Sequence, residues 1–197
     1  MKPRWHWYLG VGAVSGLLSA ATVAFLHLGE LSAPKLFGYC FGMLMSGRCD
    51  GVEASTYLFP GAIFGILFGA TLLCDRRFPF SRVCAFAGAS WVANALAVFL
   101  CVWLTDALED ALNVDFLPLP MAIAGASAGA AGGAVLGFSA KALFSGFDLH
   151  RSLIAASALG LLVPLVLVWE VAGFFVFYAI WQAGYAVALA ASLPAKA

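Results

Sequence analysis

The sequence predicts an all-α integral membrane protein, a six-transmembrane helix bundle with short interfacial helices on the outer face. Of its 197 residues, 63% are hydrophobic and 10% are charged, and the mean hydropathy is +0.98, unlike soluble domains. Apolar stretches of about 20 residues, enough to cross a bilayer as a helix, recur along the chain. Glycines also recur every fourth residue, at Gly125, Gly129, Gly133 and Gly137. Together these observations place the chain in a membrane.

The glycine repeat lies in residues 121–142, which we expect to form the central helix of the bundle. Residues four apart share one helix face, so this face carries no side chains. Helices in lipid associate through close backbone approach, which small residues permit. The second span carries the same repeat, at Gly61, Gly65 and Gly69. We therefore expect both helices to pack tightly as glycine zippers.

The chain, residues 1–197, is predicted to be a single polytopic domain. Its spans are placed at about residues 7–28, 57–74, 83–104, 121–140, 152–168 and 174–193. Pro164 should kink the fifth span, because proline removes a helix hydrogen bond. Residues 169–173, including Glu170, should form an interfacial turn, which makes the last two spans an antiparallel hairpin.

Short helices are predicted in two of the segments that connect the spans. Residues 31–47 hold an apolar run of about a dozen residues, too short to cross a bilayer as a helix. An interfacial helix is favoured there, with a re-entrant loop as the alternative. In residues 105–120, apolar residues share one side of an acidic stretch, which predicts a short amphipathic helix on the surface.

The charge distribution predicts the orientation. With six spans, eight of the ten basic residues lie on the side of both termini: Lys2, Arg4, Arg76, Arg77, Arg82, Lys141, Arg151 and Lys196. Cytoplasmic loops retain Lys and Arg during insertion, so both termini should be cytoplasmic. We expect the membrane to be a bacterial cytoplasmic (inner) membrane. The net charge of zero gives no reason to expect a nucleic-acid partner.

The chain shows no pattern typical of a catalytic, cofactor or metal site. Its five cysteines have no metal-binding or redox spacing, and His6, His27 and His150 all map to span ends. All charged residues can be placed outside the spans, which argues against an ion-coupled transporter. No motif identifies a family.

Asn94 and Gln182 are the polar residues placed deepest in the predicted spans. Each is either a contact between helices or part of the lining of a solute pathway. The many Phe and Trp residues are expected to face lipid or partner proteins. We therefore predict a non-catalytic accessory or structural subunit of a membrane complex, whose partners are the bilayer and other membrane subunits or a second copy. The alternative is a small passive channel or carrier for a small or neutral solute, and an intramembrane enzyme is less favoured.

Cys40 and Cys49 are both assigned to the external segment. Their separation allows a disulfide if their Cβ atoms approach to within about 4.5 Å. Whether they are bridged is left open by the sequence.

Overall fold

A computed structural model describes residues 5–28, 54–74, 78–112 and 118–194 of the protein, and most of these residues are helical. The side chains of residues 25–28, 54–58 and 166–171 are not among those described. Within these limits there are six helices and no strand: α1 Trp5–Leu28, α2 Ala54–Cys74, α3 Phe80–Leu112, α4 Pro118–Leu143, α5 Leu149–Gly160 and α6 Leu165–Ser192. Four of them, α1, α3, α4 and α6, are long and apolar enough to cross a membrane.

The six helices form a closed ring in chain order. Each helix packs against its neighbours in the sequence, and α1 packs against α6. The short connections that follow α2, α3 and α4 favour antiparallel neighbours. The closing pair is antiparallel as well, because Gly12 of α1 lies against Ala183 of α6 and Gly16 lies against Ala179. The first and last helices of the chain are therefore direct partners.

The glycine faces of α2 and α4 each lie against the next helix. A side chain at Gly129 would collide with the carbonyl oxygen of Ala156 on α5, and one at Gly125 would collide with that of Gly160. Gly133 and Gly137 face α5 in the same way. All four predicted glycines of α4 thus lie at its contact with α5.

On α2, the predicted glycines lie at the contact with α3. A Cβ atom at Gly61 would lie 2.5 Å from the Cβ of Asn94, and one at Gly65 would lie 2.8 Å from the Cα of Ala87. At Gly69 it would meet a methyl group of α3 at 2.7 Å. Real Cβ atoms do not pack this closely, and at Gly61 and Gly65 the close atoms include backbone atoms of α3, so these two positions require glycine.

Helix α3 is longer than predicted. It continues as one helix of 33 residues to Leu112, through the part of residues 105–120 where we predicted a separate amphipathic helix. That prediction was wrong because no glycine or proline lies between Leu104 and Leu112 to end the helix. The acidic residues Asp106, Glu109 and Asp110 consequently stand at the C-terminal end of α3.

The predicted fifth span is broken at the position of its proline. α5 ends at Gly160, residues 161–164 form a turn, and α6 begins at Leu165. Pro164 has no N–H to donate to the Gly160 carbonyl, which instead accepts a shorter-range bond from Val163 N at 3.2 Å. The interruption at Pro164 is thus confirmed. Residues 169–173, where we predicted an interfacial turn between two antiparallel spans, are helical and belong to α6.

Helix α6 does not run straight from Leu165 to Gly184. Leu159 of α5 lies against Gly184 of α6, and Asp148 N donates to Ser192 O at 2.9 Å, so α5 runs antiparallel to the end of α6. A straight α6 would place Leu165 about 28 Å from Gly184. The chain from Leu159 to Leu165 covers only about 12 Å in helical or 3₁₀ form. The change of direction therefore falls between Leu165 and Gly184.

Candidate functional site

Gln182 is the centre of a buried polar cluster that joins α1, α2 and α6. Its side chain and those of Ser15 and Ser19 are fully buried. Ser15 Oγ donates to Gln182 Oε1 at 2.5 Å, and Gln182 Nε2 donates to Ser19 Oγ at 3.0 Å and to Pro60 O at 3.3 Å. The amide therefore has partners on both of its polar atoms, as a group buried in an apolar interior requires.

The local sequence of α1 explains why two serines reach this amide. Ser15 and Ser19 are four residues apart and so share a helix face. Gly12 and Gly16, on an adjoining face, bring the α1 backbone against α6, close enough for short hydroxyl side chains to reach Gln182. The serine spacing was a signal for the cluster that the sequence prediction did not use.

Asn94 lies elsewhere in the interior, on α3. It is 5% exposed and lies beside Gly61 of α2. One turn earlier on the same helix, Ser90 Oγ donates to Gly61 O at 2.8 Å. The residues around Asn94 line a cavity to which Gln182 does not contribute. The structure thus buries both predicted polar residues but does not bring them together in one lining.

The cavity beside Asn94 has a volume of about 20 Å³, which is room for one water molecule. Glycine backbones form part of its wall, at Gly129, Gly132 and Gly133, and the rings of Trp181 and Tyr185 form another part. Ligand pockets are typically at least about 300 Å³. In this conformation the cavity is a small void rather than a pocket for an organic ligand.

A continuous series of aromatic contacts runs through the bundle, and most of its rings are buried. Ten rings follow one another with centroids 4.2–6.4 Å apart: Phe174, Tyr178, Phe177, Trp181, Tyr185, Phe64, Phe68, Phe86, Phe144 and Phe78. We call this series the aromatic column. It begins in the first half of α6 and ends just before α3. Aromatic pairs at such distances contribute about 0.5–1.5 kcal/mol beyond the area they bury.

The aromatic column differs from the expectation that Phe and Trp face lipid or partners. Phe64, Phe68, Phe86 and Phe144 are each at most 2% exposed. Only part of the aromatic set faces outward, including Trp91 and three other residues: Trp5, Trp7 and Trp103. A signal was present in the four-residue spacing of Phe64 with Phe68, because residues four apart share a helix face.

The described charged side chains lie towards the ends of the helices. At one end, Arg82 of α3 donates to Leu143 O at 3.2 Å and Arg151 of α5 donates to Ala191 O at 2.8 Å. Each arginine thus binds the C-terminal carbonyls of the following helix, where a cation is favoured by the helix dipole. The acidic residues of α3 stand at the opposite end. We call the two ends of the bundle the basic end and the acidic end.

Several predicted features lie outside the described residues, namely residues 31–47, Cys40, Cys49 and the side chain of Glu170. Within the described part, Cys74, Cys84 and Cys101 are free thiols, and no group of three His, Cys, Asp or Glu residues is arranged to hold a metal ion.

Comparison of the chain with protein-family models, with curated proteins and with solved structures found no match.

Proposed function

We propose that this protein is a non-catalytic membrane protein that serves as an accessory or structural subunit of a membrane complex. In this proposal the chain crosses the bilayer six times. Residues of α5, the turn at 161–164 and the start of α6 form the fifth crossing, and the remainder of α6 forms the sixth. Glycine zippers on α2 and α4 hold these crossings together by backbone contact.

The observation that carries the proposal is the aromatic column. Six of its ten rings are buried and the other four are partly buried, and the cavity beside them has a volume of about 20 Å³. Solute passage needs a continuous path with polar lining groups, whereas the buried part of this series consists of closely packed aromatic rings. A filled ring of helices is instead suited to presenting fixed outer surfaces to lipid and to neighbouring membrane proteins.

The polar groups of the interior support a structural role over a catalytic one. Ser15, Ser19 and Ser90 bond to Gln182 or to a backbone carbonyl, and Ser152 Oγ shares a hydrogen bond of 3.1 Å with Tyr185 Oη. A nucleophilic serine needs an adjacent base, and these hydroxyls are held by neutral partners. Their arrangement fits contacts that fix helix against helix.

The separation of the basic end from the acidic end supports a proposed orientation. We place the basic end, with both chain termini, in the cytoplasm and assign the protein to a bacterial inner membrane. Arg82, Lys141 and Arg151 then lie on the cytoplasmic face, as the distribution of basic residues in membrane proteins favours.

The proposal is tested by native mass spectrometry of the tagged protein extracted from its own membrane in mild detergent. We expect a complex of fixed stoichiometry that includes a second membrane protein, whose abundance falls when the gene for this chain is deleted. A tagged, unrelated helical membrane protein of similar size is the control for non-specific capture. Recovery of this chain alone from every mild detergent, with no membrane protein lost on deletion, would contradict the proposal.

The cavity beside Asn94 favours a second candidate, a passive channel or carrier for a small neutral solute. If Asn94 lines a solute path, Asn94→Leu should abolish uptake into proteoliposomes while the protein stays folded. If Asn94 only joins helices, the same change should lower stability by roughly 0.6–2 kcal/mol and leave any uptake unchanged. Measuring uptake and unfolding on the same preparation therefore decides between the two roles.

A further inference from the structure

The ring of helices divides into two tightly packed units. In the first, α1 and α6 meet by backbone contact: a Cβ at Gly12 would lie 2.6 Å from Ala183 Cα, and one at Gly16 would lie 2.7 Å from Ala179 Cα. We call these two helices the α1–α6 pair. Ser15 and Ser19 add hydrogen bonds to Gln182 within it.

The second unit consists of the four helices α2, α3, α4 and α5, which we call the α2–α5 body. Its three internal contacts are also made through glycines, with α2 on α3 at Gly65, α3 on α4 at Gly132 and α4 on α5 at Gly129. Ser90 adds a hydrogen bond between α2 and α3. Backbone contact therefore runs through the whole body.

The seam between the two units is made mainly of side chains. Tyr8 contacts Phe68 with ring centroids 5.7 Å apart, and Leu159 lies on Gly184. The bond from Gln182 to Pro60 O, at 3.3 Å, is the longest of the three made by the amide and the one that crosses the seam.

The aromatic column and the cavity lie on the same seam. The column passes from α6 to the body at Tyr185 and Phe64, whose ring centroids are 6.1 Å apart. The cavity has Trp181 and Tyr185 of α6 on one side and residues of the α2–α5 body, including Asn94, on the other. Separation at the seam would therefore enlarge this cavity.

The ends of α6 are arranged for such a movement. Gly160, the last residue of α5, is held against Gly125 of α4, and the 3₁₀ bonds of residues 161–164 follow directly. Short 3₁₀ segments within helical runs often mark hinges. At the basic end, Asp148 N and Arg151 hold the carbonyls of Ser192 and Ala191, which provides a pivot.

We propose that the α1–α6 pair swings away from the α2–α5 body as a unit, about the contacts at the basic end and with flexing at residues 161–164, so that the cavity beside Asn94 opens toward the bilayer. This inference goes beyond the proposed function, since it concerns how the ring opens. The closed form described above is then the more populated of two states, and the open form is a minor one.

Spin-label distances in lipid nanodiscs test the movement, in a background without cysteine. One pair of labels crosses the seam, at Leu18 of α1 and Ile123 of α4, and the control pair stays within the body, at Ile66 and Ile123. All three side chains are 47–62% exposed, so the labels should not disturb packing. We expect a second, longer distance only for the seam pair.

Two substitutions sharpen the test. Tyr185→Phe removes the hydrogen bond to Ser152 across the seam and should raise the longer population about threefold, as expected from loss of one interhelical hydrogen bond. Ser139→Ala removes a bond inside α4 and should leave the seam distances unchanged. A single narrow distance for the seam pair, unaltered by Tyr185→Phe, would overturn the proposal. Equal broadening of both label pairs would also overturn it, because the body would not be a unit.

Discussion

Ser15 Oγ on α1 donates a hydrogen bond to Gln182 Oε1 on α6, with 2.5 Å between the two oxygens. This bond joins the first and last helices of the chain, which close the ring. Apolar side chains lose little packing energy when one helix slides by a turn along another. A buried amide, in contrast, has its hydrogen bonds only when its partners lie opposite it. The cluster around Gln182 therefore specifies the register of α1 on α6.

Replacing Gln182 with leucine should lower stability. The substitution removes three interhelical hydrogen bonds of about 0.6 kcal/mol each, so we expect a loss of about 2 kcal/mol. Reversible unfolding in mixed detergent micelles measures it. Ser139→Ala is the matched control, because Ser139 Oγ bonds to Val135 O of its own helix, and it should change stability by less than about 0.5 kcal/mol. Equal stability of Gln182→Leu and wild type would show that the cluster does not hold the ring.

The sequence predicted an all-helical fold with apolar helices of membrane-spanning length, and it singled out the glycine repeats, Asn94 and Gln182, because each has a local signal. Four-residue spacing puts glycines on one face, and a buried amide in an apolar helix must find a partner. Pro164 likewise acts on its own helix by removing a donor. Features that depend on a single helix were therefore predictable.

Which apolar residues face inward was not predictable. Phe64 is 2% exposed and Ile66, two residues later, is 62% exposed, yet both are strongly apolar. Lipid is as apolar as a protein core, so hydropathy does not separate the inner face from the outer face. The same holds for glycines, since Gly65 lies against Ala87 while a Cβ at Gly88 would meet no atom of the described residues within 4 Å. The contacts of the aromatic column could therefore not be predicted from the hydropathy of the sequence.

This difference between glycines provides a matched pair of substitutions. Gly129→Leu places a side chain against the backbone carbonyl of Ala156, where neither helix can move aside cheaply, and should lower stability by about 3 kcal/mol or more. Gly88→Leu adds the same side chain to an open face and should leave stability unchanged or raise it by up to about 1 kcal/mol through better helix propensity. Thermal unfolding of both variants in one detergent provides the measurement. Gly129→Leu with wild-type stability would refute close packing of α4 on α5.

Cys40 and Cys49 provide a prediction for residues outside the described part. Both belong to the segment that we place outside the cytoplasm, where oxidising conditions maintain disulfides, so this placement predicts the bridge that the sequence alone leaves open. Mass spectrometry of non-reduced peptides should find them linked, and Cys74 and Cys84, which are free thiols near the basic end, should be alkylated. Alkylation of both Cys40 and Cys49 in oxidised membranes would show that no bridge forms.

The orientation is tested by labelling single cysteines with a reagent that does not cross membranes. Ser81 and Ser145 are exposed residues at the basic end, next to Arg82 and the end of α4, and cysteines there should react only when the cytoplasmic face is accessible.

A cysteine at Asn113, in the connection that follows the acidic end of α3, should react only from the outside, because α3 is a single helix and its two ends must lie on opposite faces if it crosses the bilayer. The pair Ser81 and Asn113 therefore tests both the crossing and its direction. If both cysteines reacted from the same face, α3 would not be a span. If Ser81 reacted only from outside and Asn113 only from the cytoplasm, the bundle would be inserted in the opposite orientation. The basic end would then lie outside, against the preference of Lys and Arg for the cytoplasm.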